Sequence, residues 1–544
     1  MRKYIFVVGG VMSGVGKGVT TASIACILQA RGFSVTAIKI DPYINVDAGT
    51  MNPTEHGEVF VLDDGDETDQ DMGNYERFLD VSLSRDNYMT TGRVYQSVIE
   101  RERNLEFEGR NVEVVPDIPL EVVSRIKRAA SKNKADITIV EIGGTVGEYQ
   151  NILFLEAARM MKTQHPDNVM FVLVSYLPTP PKVGEMKTKP TQYAARTLNG
   201  AGIQADIIVA RAETPLDDKR RQKLSLLCSV SHEDVISAPD VESIYEVPLN
   251  FEEDKLSARI LKKLKVKSRG SDMGEWTAMV KKVQSAEEPL RFAVVGKYFS
   301  SGSFILSDVY ISVLEAIKHA TYSLSMKPVI EWVSSEEFEK SPAKVKELGA
   351  FDAVIVPGGF GTRGVEGIVN VITFCRENKV PFLGICYGMQ LAVVEYARTQ
   401  LKLKYANTVE MEPDAEHPVV HVMEDQIEKL RNKKMGGSMR LGAYEAHLKK
   451  GTLARKLYSK EVVSERHRHR YEVNNAYVEQ LEEAGLVFSA TSPEGDLMEM
   501  LELKKEVHPY YIATQFHPEF TSRPLRPHPL FLGLAKAAKE RREQ

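Results

Sequence analysis

The sequence predicts an α/β protein of two domains, the first with a parallel sheet covered by helices on both faces. At 544 residues the chain is too long for one ordinary domain. Apolar runs rich in valine and isoleucine alternate with helical patterns, which is typical of buried parallel strands joined by helices. The alternation weakens near residues 267–290 and resumes with a new strand at Arg291. We therefore place an interdomain connection there.

Composition indicates a globular protein and excludes several classes of function. The chain is 43% hydrophobic and 27% charged, with a net charge of −5 and a pI of about 6.2, which argues against general nucleic-acid binding. No apolar run is long enough to cross a bilayer, and the N-terminus enters a strand at once, leaving no room for a signal peptide. Four scattered cysteines form no CxxC pair, which indicates neither a zinc site nor a disulfide framework. We expect a cytoplasmic protein with no membrane and no nucleic-acid partner.

The first domain begins with a pattern that cradles phosphate. A short apolar strand, Tyr4–Val8, leads into a glycine-rich loop at residues 9–18, and the helix that follows is closed by Gly32. Free backbone N–H groups and the positive end of the helix dipole would face an anion there, and Lys17 adds a cation for the outer phosphates. Gly18 stands where serine or threonine usually holds magnesium, so carboxylates from elsewhere must supply the ligands. A glycine turn that binds nothing is the alternative interpretation.

Ligands of parallel sheets lie at the carboxyl ends of strands, so polar residues at those ends are candidates. Further strands are predicted at Phe33–Ile40, Ile137–Ile142, Val169–Leu177 and Ile207–Ala210. Polar side chains follow at Lys39–Asp47 and at Glu141–Glu148, where Glu141 suits a ligand contact and a helix-capping turn about equally. The acidic run at residues 63–71 is interpreted mostly as a solvated loop. Gly184–Gln192 is either a second polyphosphate site or a solvated basic loop.

The second half contains a nucleophile elbow. Cys386 lies between Gly384 and Gly388, and small flanking residues permit the strained turn that exposes a nucleophile. The helix N-terminus that follows favours a thiolate. His517 could deprotonate the thiol while Glu519 orients the imidazole. The alternative is a small buried cysteine, which is our interpretation of Cys26, Cys228 and Cys375.

Other stretches of the second half are less informative. A strand at Phe351–Val356 ends in glycines whose N–H groups could form an oxyanion hole. A long helix is predicted at residues 304–324. Taken alone, the basic stretch Arg466–Asn474 would be a solvated loop. The polar tail at residues 536–544 is expected to fray.

Both halves resemble known families. The first half resembles the amidoligase domain of CTP synthases, on Lys39–Asp47, His56–Phe60, Asn74–Phe78, Glu141–Gly147 and Gly184–Gln192. The elbow at Cys386, together with Phe516–Glu519, resembles class I glutamine amidotransferases, which CTP synthases carry as their second half. The resemblance covers nearly the whole chain. It implies a P-loop-type amidoligase domain at 1–266, a linker at 267–290, a class I glutaminase domain at 291–535 and a polar tail at 536–544.

The resemblance also implies an activity. CTP synthases are ligases that aminate UTP at C4 to give CTP, through a phosphorylated UTP intermediate. ATP is the co-substrate, Mg²⁺ the metal, and glutamine hydrolysis the source of ammonia. GTP would act as an allosteric activator and CTP as product and possible feedback inhibitor. The family's homotetramer is expected here as well.

Site residues are implied by position in the family. The catalytic set is Cys386, His517 and Glu519. ATP would contact Gly14, Val15, Gly16, Lys17, Gly18, Val19, Asp71, Pro239, Asp240 and Val241, with magnesium on Asp71 and Glu141. UTP or CTP would contact Ser13, Lys39, Glu148, Tyr149, Gln150, Lys187, Thr188, Lys189, Pro190, Thr191, Gln192 and Lys223. Glutamine would contact Gly359, Tyr387, Gly388, Met389, Gln390, Glu410 and Arg470.

Some positions depart from the family pattern. The stretch Glu148–Gln150 replaces Asp-Ile-Glu, Asp117 stands where histidine is usual, and Tyr387 replaces the leucine beside the nucleophile. Feedback by CTP is therefore left open. Two alternatives remain. One is another amidoligase with a fused glutaminase, such as a cobyrinate-type amidase, against which Lys187–Gln192 speaks. The other is a nucleotide-sensing scaffold without turnover, against which the intact catalytic residues speak.

Overall fold

The computed structural model describes residues 2–182, 184–297, 300–301, 304–305, 307–423, 426 and 439–544. The chain divides into two compact units. The first unit is Met1–Ala48 with Asp71–Val280, and the second is Gly49–Gln70 with Lys281–Gln544. Residues 49–70 therefore belong to the second unit although they lie within the first half of the sequence.

The first unit is built on a parallel sheet. Numbered in chain order, its strands are β1 Lys3–Gly10, β2 Val35–Asp41, β5 Tyr88–Thr90, β6 Ile137–Ile142, β7 Val169–Tyr176, β8 Ile207–Ala212 and β9 Val235–Pro239. Within the described residues the order across the sheet is β5-β2-β6-β1-β7-β8-β9, with every pairing parallel. All eight residues of β1 are buried, because helices cover both faces of this central strand. The predicted strands are confirmed to within two residues at each end.

Helices of the first unit surround this sheet. They are α1 Lys17–Ala30, α3 Asp71–Leu79, α4 Thr91–Arg103, α5 Val114–Lys132, α6 Ile152–Gln164, α7 Lys189–Gly200, α8 Asp218–Cys228, α9 Val247–Glu253, α10 Leu256–Lys263 and α11 Gly274–Ser285. Trp276 of α11 is buried with its ring 5.2 Å from that of Phe78, and its indole N–H donates to the Tyr245 carbonyl at 2.9 Å. The start of α11, which lies within the predicted linker at residues 267–290, therefore packs into the core of the first unit.

The second unit has a mixed sheet. Its strands are β3 Val59–Val61, β4 Glu67–Asp69, β10 Pro289–Gly296, β11 Ser300–Ser301, β12 Phe304–Ile305, β13 Lys327–Ser334, β14 Ala353–Val356, β15 Phe382–Ile385, β16 Ala406–Thr408, β17 His417–Val422, β18 Arg440–Leu448, β19 Val462–His469, β20 Tyr471–Val473, β21 Val487–Thr491, β22 Met498–Glu502 and β23 Tyr511–Thr514. Within the described part of the chain the main sheet runs β13-β10-β14-β15-β23-β22-β21-β18-β19. It is parallel from β13 to β23 and antiparallel beyond.

Most of the described helices of the second unit pack on the two faces of the main sheet. They are α2 Pro53–His56, α12 Ile311–Ser323, α13 Ser335–Lys340, α14 Val365–Glu377, α15 Tyr387–Thr399, α16 Leu453–Tyr458, α17 Val478–Glu483 and α18 Pro529–Arg542. Two apolar cores lie on the two faces, one with α14 and α15 and the other with α12 and α18. Among the described residues, the helices include none that is both long and apolar enough to cross a membrane.

Two sequence predictions about helices need correction. The helix predicted at residues 304–324 begins at Ile311 in the structure. The expected frayed tail is helical as far as Arg542, and its Ala537 and Ala538 are buried. Alanines spaced among charged residues let one face of α18 enter the core while lysine and arginine stay outside. The polar composition of the tail therefore concealed an amphipathic helix.

The acidic and basic stretches that were interpreted as solvated loops lie inside the second unit. Glu67 is buried and accepts a hydrogen bond from the Arg468 guanidinium at 2.8 Å. Arg466 is fully buried, and its guanidinium bonds the Asp63 carboxylate at 2.5 Å. Arg466 also lies over the Phe60 ring. The two stretches neutralise each other across about 400 residues of sequence, so the interpretation of the basic stretch as a solvated loop was wrong, and that of the acidic run holds only for exposed residues such as Asp63 and Asp64.

Candidate active sites

The glycine-rich loop between β1 and α1 takes left-handed backbone conformations at several residues. Gly14 and Gly16 have φ of +71° and +89°, and Val11 at the start of the loop has φ of +81°. The Lys17 side chain folds back over Gly9, where an added Cβ would lie 2.9 Å from Nζ, and donates to the Gly144 carbonyl at 2.9 Å. Burial lowers the pKa of Lys17. The Lys17 ammonium thus lies against the loop, where the phosphate-loop motif predicts it.

The structure gives a physical reason for Gly18. A Cβ at this position would lie 1.9 Å from Oδ1 of Asp71. The place that a serine or threonine hydroxyl takes in the usual motif is thus filled by the Asp71 carboxylate. The sequence analysis expected carboxylates to replace that hydroxyl, and the structure brings one of them directly against the loop.

Three carboxylates surround Lys39 at the end of β2. Its ammonium bonds Asp71 and Glu141, the latter at 2.8 Å, and lies 3.7 Å from Asp41. Lys39 and Glu141 are paired residues of neighbouring strands, which explains why they meet. Burial raises the pKa of Glu141 and of Asp41, with Lys39 opposing it. Burial would raise the pKa of Asp71 as well, but the Lys39 charge lowers it overall.

This cluster fits a magnesium ion that also binds phosphate. Among the described residues, no group of three or more His, Cys, Asp and Glu side chains is arranged to hold a metal alone. Mg²⁺ commonly takes one or two carboxylates and completes its shell with phosphate oxygens and water. Asp71 and Glu141 already converge on one cation, the Lys39 ammonium. The donor chemistry of Asp71 and Glu141 therefore suits magnesium, and Lys39 bonds both of these predicted magnesium ligands.

A cavity of about 370 Å³ adjoins the phosphate loop. It brings Gly16 and Val19 together with Pro239, Asp240 and Val241, as the sequence analysis expected for ATP. Arg211 also lines it and pairs with Asp240 at 2.8 Å. Sequence analysis missed Arg211, although it lies at the carboxyl end of β8, where the rule for parallel sheets would have found it.

The residues predicted for the pyrimidine nucleotide fall into an exposed and a buried set. Tyr149 is 92% exposed, and Gln150 donates to Glu148 at 2.9 Å. Thr188, Thr191 and Gln192 are buried at the start of α7. Gly147 lies against α7, where an added Cβ would be 2.9 Å from Thr197. The loop after β6 and the second half of α7 are thus neighbours in the first unit.

The other residues predicted for the pyrimidine nucleotide include two basic side chains, a serine of the phosphate loop and the first two residues of α7. Lys187 and Lys223 both act on Glu185, whose pKa is lowered first by its hydrogen bond from Lys187. The Lys187–Glu185 distance is 2.5 Å. Ser13 is exposed in the phosphate loop, whereas Lys189 and Pro190 open α7. These cations are solvent-facing, so they are available to a polyanion.

The nucleophile elbow of the second unit has the predicted strained turn. Cys386 has φ of +52° and ψ of −99° between β15 and α15. An added Cβ on Gly384 would lie 2.9 Å from the Gly388 backbone, and one on Gly388 would lie 2.4 Å from the Val356 carbonyl. Both flanking glycines are therefore required by packing, as the motif predicts.

His517 pairs with Glu519, and both line a small cavity together with Cys386. Nδ1 of His517 lies 2.7 Å from the Glu519 carboxylate. Its buried Nε2 has no hydrogen-bond partner among the described atoms. Burial alone would lower the pKa of His517, but Glu519 and the Cys386 sulfur raise it to about 10. A Cβ on Gly358 would lie 2.8 Å from the imidazole, so glycine is needed there too.

The side-chain amides of Gln515 and Gln390 link the Cys386 sulfur to Tyr471, the first residue of β20. The Gln515 amide donates to the Cys386 sulfur at 3.6 Å, and the Gln390 amide donates to Gln515 at 3.3 Å and to the Tyr471 carbonyl at 2.9 Å. Because the Tyr471 carbonyl can only accept, it fixes the orientation of both amides. Gln515 was missed by sequence analysis, although it lies two residues before His517.

The sulfur opens into a cavity of about 390 Å³ in the second unit. Its lining contains four predicted glutamine contacts, Gly359, Gln390, Glu410 and Arg470. Three other predicted contacts, Tyr387, Gly388 and Met389, lie outside this lining. The Tyr387 hydroxyl bonds the Gly361 carbonyl, Gly388 packs against Val356 of β14, and Met389 belongs to the apolar core. A second cavity of about 90 Å³ joins Cys386 and His517 to Glu58 and Tyr310.

Comparison with known proteins matches both units. A family model for the CTP synthase N-terminus matches residues 3–266, and one for class I glutamine amidotransferases matches residues 305–537. The fold and the two sites define a glutamine amidotransferase joined to a nucleotide-binding unit.

The relatives identify the family. CTP synthase of Thermococcus kodakarensis is 52% identical over 544 residues, covering 100% of this chain and 99% of the relative. CTP synthase of Methanococcus aeolicus is 48% identical over 548 residues, covering 99% of each chain. A solved structure, the glutaminase domain of Trypanosoma brucei CTPS with bound acivicin, is 38% identical, covers 46% of this chain and 94% of its own, and has a TM-score of 0.42. The chain belongs to the CTP synthase family and is a ligase that performs glutamine-dependent amination.

Proposed function

We propose that the first unit phosphorylates UTP at the C4 oxygen with ATP and magnesium, and that ammonia from glutamine then displaces the phosphate to give CTP. The observation that carries the proposal is the pair of sites, a phosphate loop against paired carboxylates in one unit and a Cys-His-Glu triad in the other. Each site has the residue types that its half of the reaction needs.

In the synthetase reaction, Lys17 and the loop N–H groups hold the phosphates of ATP. The cavity at Pro239–Val241 takes the base. Asp71 and Glu141 would hold magnesium, which neutralises phosphate charge during transfer. Lys39, which bonds both carboxylates, would place its ammonium beside the transferring phosphoryl group. The basic residues Lys187 and Lys223 and the buried start of α7 would bind the second triphosphate.

In the glutaminase reaction, the Cys386 thiolate attacks the amide carbon of glutamine. The protonated His517 gives its proton to the departing nitrogen, which leaves as ammonia, and a glutamyl thioester remains. Water activated by His517 then hydrolyses the thioester to glutamate. Glu519 keeps the imidazole oriented and charged, which the raised pKa of His517 supports.

Several finer points are part of the same proposal and rest on family membership. GTP would activate glutamine hydrolysis, the protein would form a homotetramer, and CTP would be the product. Free thiols at all four cysteines suit a reducing cytoplasm. The exposed Glu148–Gln150 stretch differs from the family pattern, so inhibition of synthesis by CTP is tested directly in the assay below.

The test is conversion of UTP, followed by absorbance, with ATP and magnesium and either ammonium chloride or glutamine plus GTP. Wild-type protein should form CTP from both nitrogen sources. Cys386→Ala should lose synthesis from glutamine and keep synthesis from ammonia, because the thiol serves only glutamine hydrolysis. Lys17→Ala should lose both, because phosphoryl transfer precedes amination.

Added CTP in the same assay reports feedback through the altered stretch. Glutamine-dependent synthesis that survives in Cys386→Ala would refute the assigned nucleophile. Undiminished synthesis from ammonia in Lys17→Ala would refute the assigned phosphate site. No product from either nitrogen source in wild-type protein would refute UTP as the acceptor.

A further inference from the structure

The turn at Gly358–Gly361, here called the glycine loop, lies beside the nucleophile. Gly359 and Phe360 line the same cavity as Cys386, and the Gly358 carbonyl accepts the Tyr310 hydroxyl at 3.0 Å. If N–H groups of this loop stabilise the tetrahedral intermediate, their position must be held to within a fraction of an ångström. What holds the loop is therefore part of the glutaminase machinery.

One residue of the loop is bound from three sides. The Gly361 carbonyl accepts two hydrogen bonds, one from Nζ of Lys297 at 2.6 Å and one from the hydroxyl of Tyr387 at 2.7 Å. The Gly361 N–H donates to Glu410 at 2.8 Å. The Lys297 ammonium also lies 4.3 Å from the centre of the Tyr387 ring, so the two donors stabilise each other.

These partners come from three separate elements. Lys297 follows β10, Tyr387 is the first residue of α15, directly after Cys386, and Glu410 follows β16. Tyr387 and Lys297 are 2% and 6% exposed. Gly361 has φ of +78° and its Cα faces open space, so contacts to its backbone, not to a side chain, fix its place.

We propose that Tyr387 and Lys297 are positioning residues of the glutaminase reaction, which hold the glycine loop over Cys386 by binding the Gly361 carbonyl. The inference rests on the proposed glutaminase function. Leucine, the residue usual in the family at position 387, has no donor for this carbonyl. The tyrosine therefore joins the segment that carries the nucleophile to the glycine loop through this hydrogen bond.

The charge on Lys297 is part of this arrangement. Burial, opposed by Glu410 and Glu339 and assisted by Arg363, lowers the pKa of Lys297 to about 8. Above pH 8 the ammonium loses a proton and its attraction to the carbonyl and the ring weakens. The turnover of glutamine should then fall in wild-type protein and fall less in Lys297→Met.

The test measures glutamate release by the full-length protein as a function of glutamine concentration. Tyr387→Phe and Lys297→Met should each lower kcat about five- to tenfold, the effect of one hydrogen bond in the transition state, with KM changed less than twofold. Tyr396→Phe is the matched control. It lies on the same helix and likewise donates its hydroxyl to a backbone carbonyl, that of Ala484 at 2.8 Å, and it should keep the wild-type kcat.

The outcomes separate the claims. Wild-type protein that releases no glutamate refutes the proposed function itself. Active wild-type protein with kcat within twofold in both Tyr387→Phe and Lys297→Met overturns the positioning role. An equal loss in Tyr396→Phe also overturns it, since the effect would then be general loosening of α15. A loss confined to the two positioning variants, with the pH dependence reduced in Lys297→Met, supports the inference.

Discussion

Repairing the phosphate-loop motif should inactivate the synthetase site. In Gly18→Ser the new side chain would supply the hydroxyl that the usual motif has, but its Cβ would lie 1.9 Å from Oδ1 and 2.6 Å from Cγ of Asp71. Ordinary contact would require the carboxylate or the loop to move by about 1.5 Å in a close-packed site. Because Lys39 ties Asp71 to Glu141, this movement would reach both predicted metal ligands.

The expected loss is large. A displacement of about 1 Å at a reacting site can cost about 100-fold in rate, so ammonia-dependent CTP synthesis should fall by at least about 100-fold. Overpacking should also lower the free energy of unfolding by about 1 to 3 kcal/mol. Glutamate release at Cys386, in the second unit, should remain and so show that the variant is folded.

Two control variants make the assay specific. Gly18→Ala adds the Cβ without the hydroxyl and should lose synthesis to the same extent. Gly200→Ala adds a Cβ that meets nothing within 4 Å and should be unchanged. Synthesis within threefold of wild type in Gly18→Ser would refute the steric argument. An active serine variant beside an inactive alanine variant would show that the hydroxyl serves as the motif predicts.

Two further predictions concern stability. The folded pKa of His517, about 10, lies above its ordinary 6.5, so its charge stabilises the fold fully below pH 6.5, and this contribution is lost as pH rises through 10. The free energy of unfolding in urea should therefore be lower in Glu519→Gln than in wild type, and this difference should be largest at pH 6 and smaller at pH 9.5. A deficit independent of pH would contradict this. Glu58 accepts the Ser312 N–H at 3.1 Å at the start of α12, so Glu58→Gln should cost about 1 to 2 kcal/mol in urea unfolding. An unchanged midpoint would contradict that role.

What sequence alone predicted was local. β1, the phosphate loop and α1 are consecutive, as are β15, the elbow at Cys386 and α15. In each case hydrophobic periodicity and glycine spacing specify a turn whose geometry depends on few neighbours. For that reason the phosphate loop, the elbow and the two-domain α/β class were all predicted from residues a few positions apart.

The placement of charged residues depended on tertiary structure. Arg466, His467, Arg468 and His469 alternate along β19, with the arginines meeting Asp63 and Glu67 and both histidines buried. Burial lowers the pKa of His469 to about 3, so it is neutral inside the unit. Composition described this stretch as basic and exposed, because the pattern of one strand does not say which distant chain covers it.

The sequence by itself determined which residues could do chemistry, since Lys17, Cys386, His517 and the acidic residues are named by their motifs. The tertiary structure decided how they are held. It placed Asp71 in the space that Gly18 leaves and turned Tyr387 toward Gly361. It also moved residues 49–70 into the second unit. These contacts join segments distant in sequence, and their energies come from close packing and charge pairing that no local pattern encodes.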